Sequence, residues 1–157
     1  MTLRYVYGQD RNVARFVASL IPHIDPLGFP PNAAAIGIVD ANNNPLAGIV
    51  YYDWSVPAGT LYMAAAARRG TFWFSRETIR RAFSFAFDHR RCQMVIMRVR
   101  ADDARLLEQL ALFGFGFVTV PRLYGRERDG VIATFTAEDW AESRFNRPAA
   151  TQQREAA

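Results

Sequence analysis

The sequence predicts an α/β protein of one domain, with a mixed central sheet of about seven strands and helices on both faces. Strand-like segments fill most of the first half, whereas two amphipathic helical segments alternate with apolar strands in the second half. The chain has 157 residues, half of them hydrophobic, which is enough for one packed core. We expect the domain to span residues 1–143 and the polar segment 144–157 to be a disordered tail.

A short strand and a helix open the chain. The segment LRYVY alternates as a strand does, and apolar residues then recur at helical spacing from residue 13 to residue 21. Asp10 is placed to cap this helix and Pro22 to end it. The prolines of residues 23–32 indicate an irregular connection.

Three antiparallel strands follow. AAIGIVD and PLAGIVYYDWSV are β-rich and are joined by ANNNP, whose asparagines tolerate the left-handed backbone of a hairpin. GTLYMAAAA continues as a third strand after the turn at PAG.

The second half alternates helices with strands. Ser75 can cap a helix, and CQMVIMRVR at residues 92–100 is a dense apolar run typical of a buried central strand. Asp102 or Asp103 can cap the next helix, so this order predicts a parallel crossover. A strand from Phe115 or Gly116, a charged turn and VIATFTAEDW then close the sheet.

Composition excludes several classes of function. One cysteine, Cys92, allows no internal disulfide, and two histidines give no metal spacing, so we expect no metal and a reducing cytoplasm. No apolar run is long enough to span a membrane. All nineteen basic residues are arginine, as G+C-rich codon usage produces; the net charge of +4 favours anions, but no motif predicts specific nucleic-acid binding.

The order of elements and two motifs resemble the GNAT superfamily of N-acetyltransferases. In that family the third antiparallel strand ends in an R/Q-x-x-G-x-G/A turn before a long helix, and ARRGTFWFSRETIRRAF stands at the corresponding place. The segment from VIMRVRADD to the closing AEDW is similar to the branch that contains ribosomal-protein alanine acetyltransferases. The chain departs from the family in having only Gly70 in the turn, Ala67 three residues before it, and no tyrosine near Leu107 or Leu110.

The resemblance implies that acetyl-CoA binds where the third strand turns into the helix. A helix N-terminus with arginines and a glycine suits a pyrophosphate, and the small alanines leave room for a pantetheine arm beside the strand, one of whose N–H groups would polarise the thioester carbonyl. The alternative is a solvated basic turn before a capped helix, with alanines packed beneath it. The candidate cofactor-binding residues are Met63, Ala64, Ala65, Arg68, Arg69, Gly70, Thr71, Trp73, Ser75, Arg76 and Asp103.

Two residues are candidates for the chemistry. Asp53, at the end of the second antiparallel strand, is the candidate base for the acceptor amine, and Tyr124 is a candidate proton donor or pocket residue. An aspartate beside a turn is more often a cap, and a hairpin tyrosine more often packs. Specificity for the acceptor would come from residues 26–32, 53–58 and 121–128.

The favoured function is therefore an N-acetyltransferase that moves an acetyl group from acetyl-CoA directly to a primary amine of a protein, a peptide or a small molecule. The alternative is a catalytically degenerate module that keeps the fold for binding or structure. The resemblance also allows a homodimer and favours a bacterial or phage-like source.

Overall fold

The structure is a computed structural model, and it describes residues 2–147. Its strands and helices follow the predicted order. The strands are β1 (Arg4–Val6), β2 (Ala34–Val39), β3 (Pro45–Ser55), β4 (Thr60–Ala67), β5 (Met94–Arg100), β6 (Gly116–Val120) and β7 (Gly130–Thr136). The helices are α1 (Asp10–Leu20), α2 (Arg76–Ser84), which continues as a π-helical turn (Phe85–His89), α3 (Ala104–Phe113) and α4 (Ala137–Glu142), followed by a 3-10 turn (Arg144–Asn146).

The sheet has seven strands in the order β1-β2-β3-β4-β5-β7-β6. Among the strands of residues 2–147, only β4 and β5 pair in parallel, and α2 makes the crossover between them. This arrangement confirms the predicted mixed sheet with a parallel crossover.

The last strand differs from its prediction. β7 lies between β5 and β6, so β6 forms the edge of the sheet instead of the final strand. The residues AEDW are helical, because the Thr136 hydroxyl accepts from the N–H of Asp139 while the Asp139 carboxylate accepts from the N–H of Thr136. This capping box starts α4 directly at the end of β7.

Helices cover both faces of the sheet. α1 packs on one face through Val13 and Val17, close against the glycines of β2 and β3. A Cβ added to Gly48 would lie 2.6 Å from Val17 Cγ2, so glycine is what allows this approach. α2, α3 and α4 pack on the opposite face around a larger aromatic cluster.

Hydrogen bonds fix the ends of the helices. Ser75 and Asp103 cap α2 and α3, as predicted, by accepting from the N–H groups of Thr78 and Leu106. Asp10 does not cap α1: Gln9 is the cap position, and Asp10 Oδ1 accepts from the N–H of Ala35 at 2.9 Å. The Asp10 carboxylate therefore ties α1 to the start of β2 instead of closing its own helix.

One buried bond links α2 to the centre of the sheet. The hydroxyl of Tyr51 in β3 donates to the carbonyl of Ala82 at 2.6 Å, just before α2 widens into its π-helical turn. Tyr51 is fully buried, so this bond has no competition from water.

The structured part of the chain continues beyond residue 143. Arg144–Asn146 form a 3-10 turn, and the Phe145 ring packs edge-on against Phe113 at 5.2 Å between centroids. The boundary at residue 143 and the tail over residues 144–157 stay predictions, since most of that segment lies outside the described residues.

Candidate active site

The two central strands separate along their length. β4 and β5 pair at Thr60↔Met94, Leu61↔Val95 and Tyr62↔Ile96, and the pairing stops there. Beyond this point β4 stays paired with β3 as far as Ala67, and β5 stays paired with β7 as far as Arg100. The sheet therefore opens into a V between β4 and β5.

The register shows which backbone groups face the V. The N–H of Arg68 donates to Leu46 in β3 at 2.8 Å, and successive residues of a strand direct their N–H and C=O to opposite sides. Ala64 therefore points toward β3, whereas Met63 and Ala65 point toward β5. In a parallel ladder, the pair Tyr62↔Ile96 is joined by hydrogen bonds from the residues before and after Tyr62, so the N–H of Met63 is paired. Ala65 is the next residue that points toward β5, and it is the first whose N–H faces the V without a strand partner.

A basic turn joins β4 to α2. Gly70 has φ +80°, and a Cβ added there would meet nothing within 4 Å, so its backbone is open to a ligand. Thr71 closes the turn by donating its N–H to the carbonyl of Arg68 at 3.1 Å. Arg69 is exposed, and the guanidinium of Arg68 lies 5.6 Å from the centre of the Phe16 ring. Two guanidinium groups and an open glycine thus precede the helix.

Other predicted cofactor residues already have partners within the chain. The Ser75 hydroxyl lies 2.9 Å from that of Thr78, which in turn lies 2.7 Å from that of Tyr5. Arg76 donates to the carbonyl of Arg144, and its guanidinium lies 5.7 Å from the centre of the Phe145 ring. Asp103 serves as the α3 cap. These contacts hold the start of α2 to β1 and to the C-terminal segment.

An aromatic pair fills the space between the V and the helices. Trp73 is only 8% exposed and stacks on Phe74 with 3.9 Å between ring centroids, and Phe74 leans on Phe113 of α3. The cavity left there has about 30 Å³ and is lined almost entirely by apolar side chains. Trp73, predicted to bind the cofactor, is therefore a core residue in this structure, and the space beside Ala65 is closed on the α2–α3 side.

The other side of the V carries polar side chains. Tyr52 and Tyr62 lie side by side with centroids 5.6 Å apart, and Phe29, from the connection between α1 and β2, lies 5.3 Å from Tyr52. Asp53 follows Tyr52 at an irregularity of β3, exposed and with φ +50°. Tyr124, half-buried between β6 and β7, meets the His23 ring edge-on at 6.4 Å. The two predicted catalytic residues thus lie on different elements bordering this side.

Two arginines on β5 were missed by the sequence interpretation. Arg98 and Arg100 follow Ile96 at alternate positions, so they share the face of Ile96 and of its partner Tyr62. The signal was available, because MRVR places two charges two residues apart in an otherwise apolar strand. Burial raises the pKa of Tyr52 to about 12 and also raises that of Tyr124, and the charge of Arg98 partly opposes both shifts. Both hydroxyls are therefore protonated at neutral pH.

Residues 2–147 contain no cluster of three or more histidine, cysteine, aspartate or glutamate side chains that could hold a metal ion. Within the same range, no helix is both long enough and apolar enough to cross a bilayer. Cys92 is buried, and burial raises the pKa of its thiol to about 11, which keeps it protonated and unreactive.

No family model matches the chain, and no curated protein matches it either. Solved structures do match. The spermidine/spermine N-acetyltransferase SpeG from Vibrio cholerae superimposes with a TM-score of 0.71 at 13% identity, over 89% of this chain and 94% of that one. A chimera of SpeG and hSSAT gives 0.73 at 12% identity, over 90% and 100% of the two chains. A protein described as a putative acetyltransferase gives 0.63 at 18% identity, over 71% and 63%.

The chain has the GNAT fold. At such low identities the likeness concerns the fold alone, and it confirms the predicted fold class. Within this fold, the strand β4 and the basic turn at the start of α2 are the features to which the resemblance assigned the cofactor.

Proposed function

We propose that the protein is an acetyl-CoA-dependent N-acetyltransferase that acts directly on a primary amine. The observation that carries the proposal is the V between β4 and β5, where Ala65 presents a strand edge next to a basic turn at a helix N-terminus. The amine acceptors named for the structural neighbours, spermidine and spermine, support an amine as the acceptor class.

The residues of this chain suit the two parts of coenzyme A. The free N–H and C=O of Ala65 can pair with an extended amide-containing arm as an added strand would. Arg68 and Arg69 can bind phosphate oxygens in pairs, and Gly70 exposes its backbone beside them. Acetyl-CoA would supply an activated acetyl group at the mouth of the V.

The chain would assist the transfer in three ways. The N–H of Ala65 stabilises negative charge that develops on the acyl oxygen. Asp53, exposed beside Tyr52, takes the proton that the amine nitrogen loses as its bond to the acetyl carbon forms and the carbon–sulfur bond breaks. A protonated tyrosine, Tyr124 by our proposal, returns a proton to the departing sulfur, since no tyrosine stands at the family position on α3.

One observation favours a second candidate, a module that has lost transfer. Trp73 and Phe74 occupy the space between the V and the helices, so an arm can lie beside Ala65 only if this aromatic pair moves. A chain in which the pair never moves would keep the fold without binding the cofactor.

Finer assignments remain proposals that rest on the sequence. The second-half motif supports the branch of ribosomal-protein alanine acetyltransferases, and the single cysteine supports a cytoplasmic location. A domain over residues 1–143, a homodimer and the absence of nucleic-acid binding belong with them.

Titration calorimetry with acetyl-CoA tests the proposal. We expect micromolar binding by the wild type and a loss of roughly tenfold or more in the double variant Arg69→Ala, Gly70→Asp, which removes a guanidinium and adds a charge in a left-handed position. Arg15→Ala, an exposed change on α1, is the control and should bind as the wild type does. If the folded wild type gives no heat, the second candidate replaces the first.

A further inference from the structure

The face of the V away from α2 and α3 carries positive charge and tyrosine hydroxyls. We call it the arginine–tyrosine face and define it as Tyr52, Tyr62, Arg98, Arg100 and Tyr124. Residues paired in a ladder share one face, so Tyr62 fixes the orientation of Ile96, and Arg98 and Arg100 follow at alternate positions. These side chains come from β3, β4, β5 and the β6–β7 connection, and they converge where the two strands part.

The two arginines differ in their partners. Arg100 contacts the ring of His23 and forms an ion pair with Asp102. Arg98 is exposed, and none of the ion pairs found between residues 2 and 147 includes it. Arg98 therefore offers a guanidinium to a ligand from the lip of the V opposite β4.

The surroundings of Arg98 favour a planar anion. Tyr52 and Tyr62 form one wall with Phe29 beside them, and Tyr124 with His23 forms the other. A guanidinium binds a carboxylate through two parallel hydrogen bonds, and protonated tyrosines donate further ones.

We propose that the acceptor is an amine that also carries a carboxylate, and that Arg98 binds this carboxylate while the amine reaches Ala65. This inference rests on the proposed function and names the substrate class of the same site. Paired strands lie about 5 Å apart, and β4 and β5 diverge from that spacing, so the two edges of the V are roughly 5–10 Å apart. That spacing suits a peptide with an acidic residue in second position, or a free amino acid with a side-chain carboxylate.

The charge of this face also opposes polyamine acceptors. Spermidine and spermine, named for the structural neighbours, are polycations, and an arginine without a carboxylate partner repels them. The same fold therefore carries a positively charged face here, whereas a polyamine acceptor needs a negatively charged one.

Matched acceptors test the inference. Acetyl transfer is followed by thiol release from acetyl-CoA with the C-terminally amidated peptides Ala-Glu-Ala-Ala and Ala-Gln-Ala-Ala, with free glutamate and with spermidine. We expect kcat/KM for the glutamate-containing peptide to exceed that for the glutamine-containing one by roughly tenfold or more, mainly through KM, and spermidine to be the poorest acceptor. Comparison of the peptide with free glutamate shows which source of the carboxylate the site accepts.

Variants assign the effect to Arg98. Arg98→Gln should abolish the preference for the acidic peptide, so that kcat/KM for the acidic peptide falls to the level of the neutral one. The exposed Arg15→Gln on α1 removes the same charge elsewhere and should keep the preference. Calorimetry with the N-acetylated acidic peptide gives an independent readout, in which Arg98→Gln should weaken binding by a similar factor.

The outcomes separate the inference from the proposed function. Acetylation of the neutral peptide or spermidine as fast as that of the acidic peptide overturns the inference and leaves the acetyltransferase in place. Thiol release with none of the acceptors, by a protein that also fails to bind acetyl-CoA, overturns the proposed function itself. A preference that survives in Arg98→Gln rejects the assignment to this arginine.

Discussion

Replacing Trp73 by leucine should lower the stability of the protein and raise its affinity for acetyl-CoA. An aromatic side chain buries about 150–250 Å². At about 25 cal/mol per Å², full exposure of a ring of this size costs roughly 4–6 kcal/mol. Because Trp73 is only 8% exposed, and leucine recovers about half of the apolar contact, Trp73→Leu should reduce the free energy of unfolding by about 2–3 kcal/mol.

The Trp73 ring limits cofactor binding if the pantetheine arm of coenzyme A must displace this ring from the space beside Ala65. A smaller side chain that is easier to displace lowers this cost by about 2 kcal/mol, which corresponds to roughly thirtyfold tighter binding. The two quantities therefore move in opposite directions, which a simple loss of structure does not produce.

Denaturant unfolding measures the first quantity, and calorimetry with acetyl-CoA measures the second. Trp140→Leu is the matched control: Trp140 is 2% exposed, packs against Phe83 and Phe87, and does not line the cavity beside Ala65. The Trp140→Leu variant should lose stability without gaining affinity for acetyl-CoA. Weaker acetyl-CoA binding by Trp73→Leu, at a temperature where it is folded, would refute the reasoning and indicate that the indole itself holds the cofactor.

Three further changes test the fold around the site. Gly48→Ala should destabilise the protein by about 1–3 kcal/mol in a thermal melt, because its Cβ would collide with Val17, whereas Gly116→Ala, with only a side-chain oxygen at 3.7 Å, should cost much less. Thr136→Ala removes half of the capping box of α4 and should cost about 0.5–2 kcal/mol in denaturant; an unchanged midpoint would show that the box contributes nothing. The wild type should lose stability as the pH rises from 10 toward 12, because Tyr52 loses its proton first in the unfolded chain, and Tyr52→Phe should lose less over the same range.

Much of the fold was predictable because its signals are local. The alternation in LRYVY, the dense apolar run of β5 and the caps at Ser75 and Asp103 each reflect a periodicity or a single hydrogen bond that short segments encode. The order of strands in the second half was harder, since only contacts with β5 place β7 inside the sheet.

The candidate site was predictable as a region but not as a set of contacts. The sequence identified the basic turn, yet the point where β4 and β5 separate depends on the whole sheet, and this point selects Ala65 from three neighbouring residues. The buried position of Trp73 could not be predicted, for a similar reason. Trp73 stacks on Phe74, and Phe74 packs on Phe113, which belongs to a helix far along the chain. Arg98 needed only attention to alternate positions in β5.

The bond from the Tyr51 hydroxyl to the Ala82 carbonyl has a mechanical consequence for the turn at the other end of α2. It anchors the helix near its C-terminal end to β3, an internal strand of the sheet, while Ser75, Thr78 and Tyr5 anchor its beginning. Bonds at both ends oppose sliding of the helix along its axis and rotation about it. We therefore expect a motion that admits a ligand beside β4 to involve residues 68–74, where Gly70 has an unobstructed left-handed backbone and Trp73 and Phe74 fill the space.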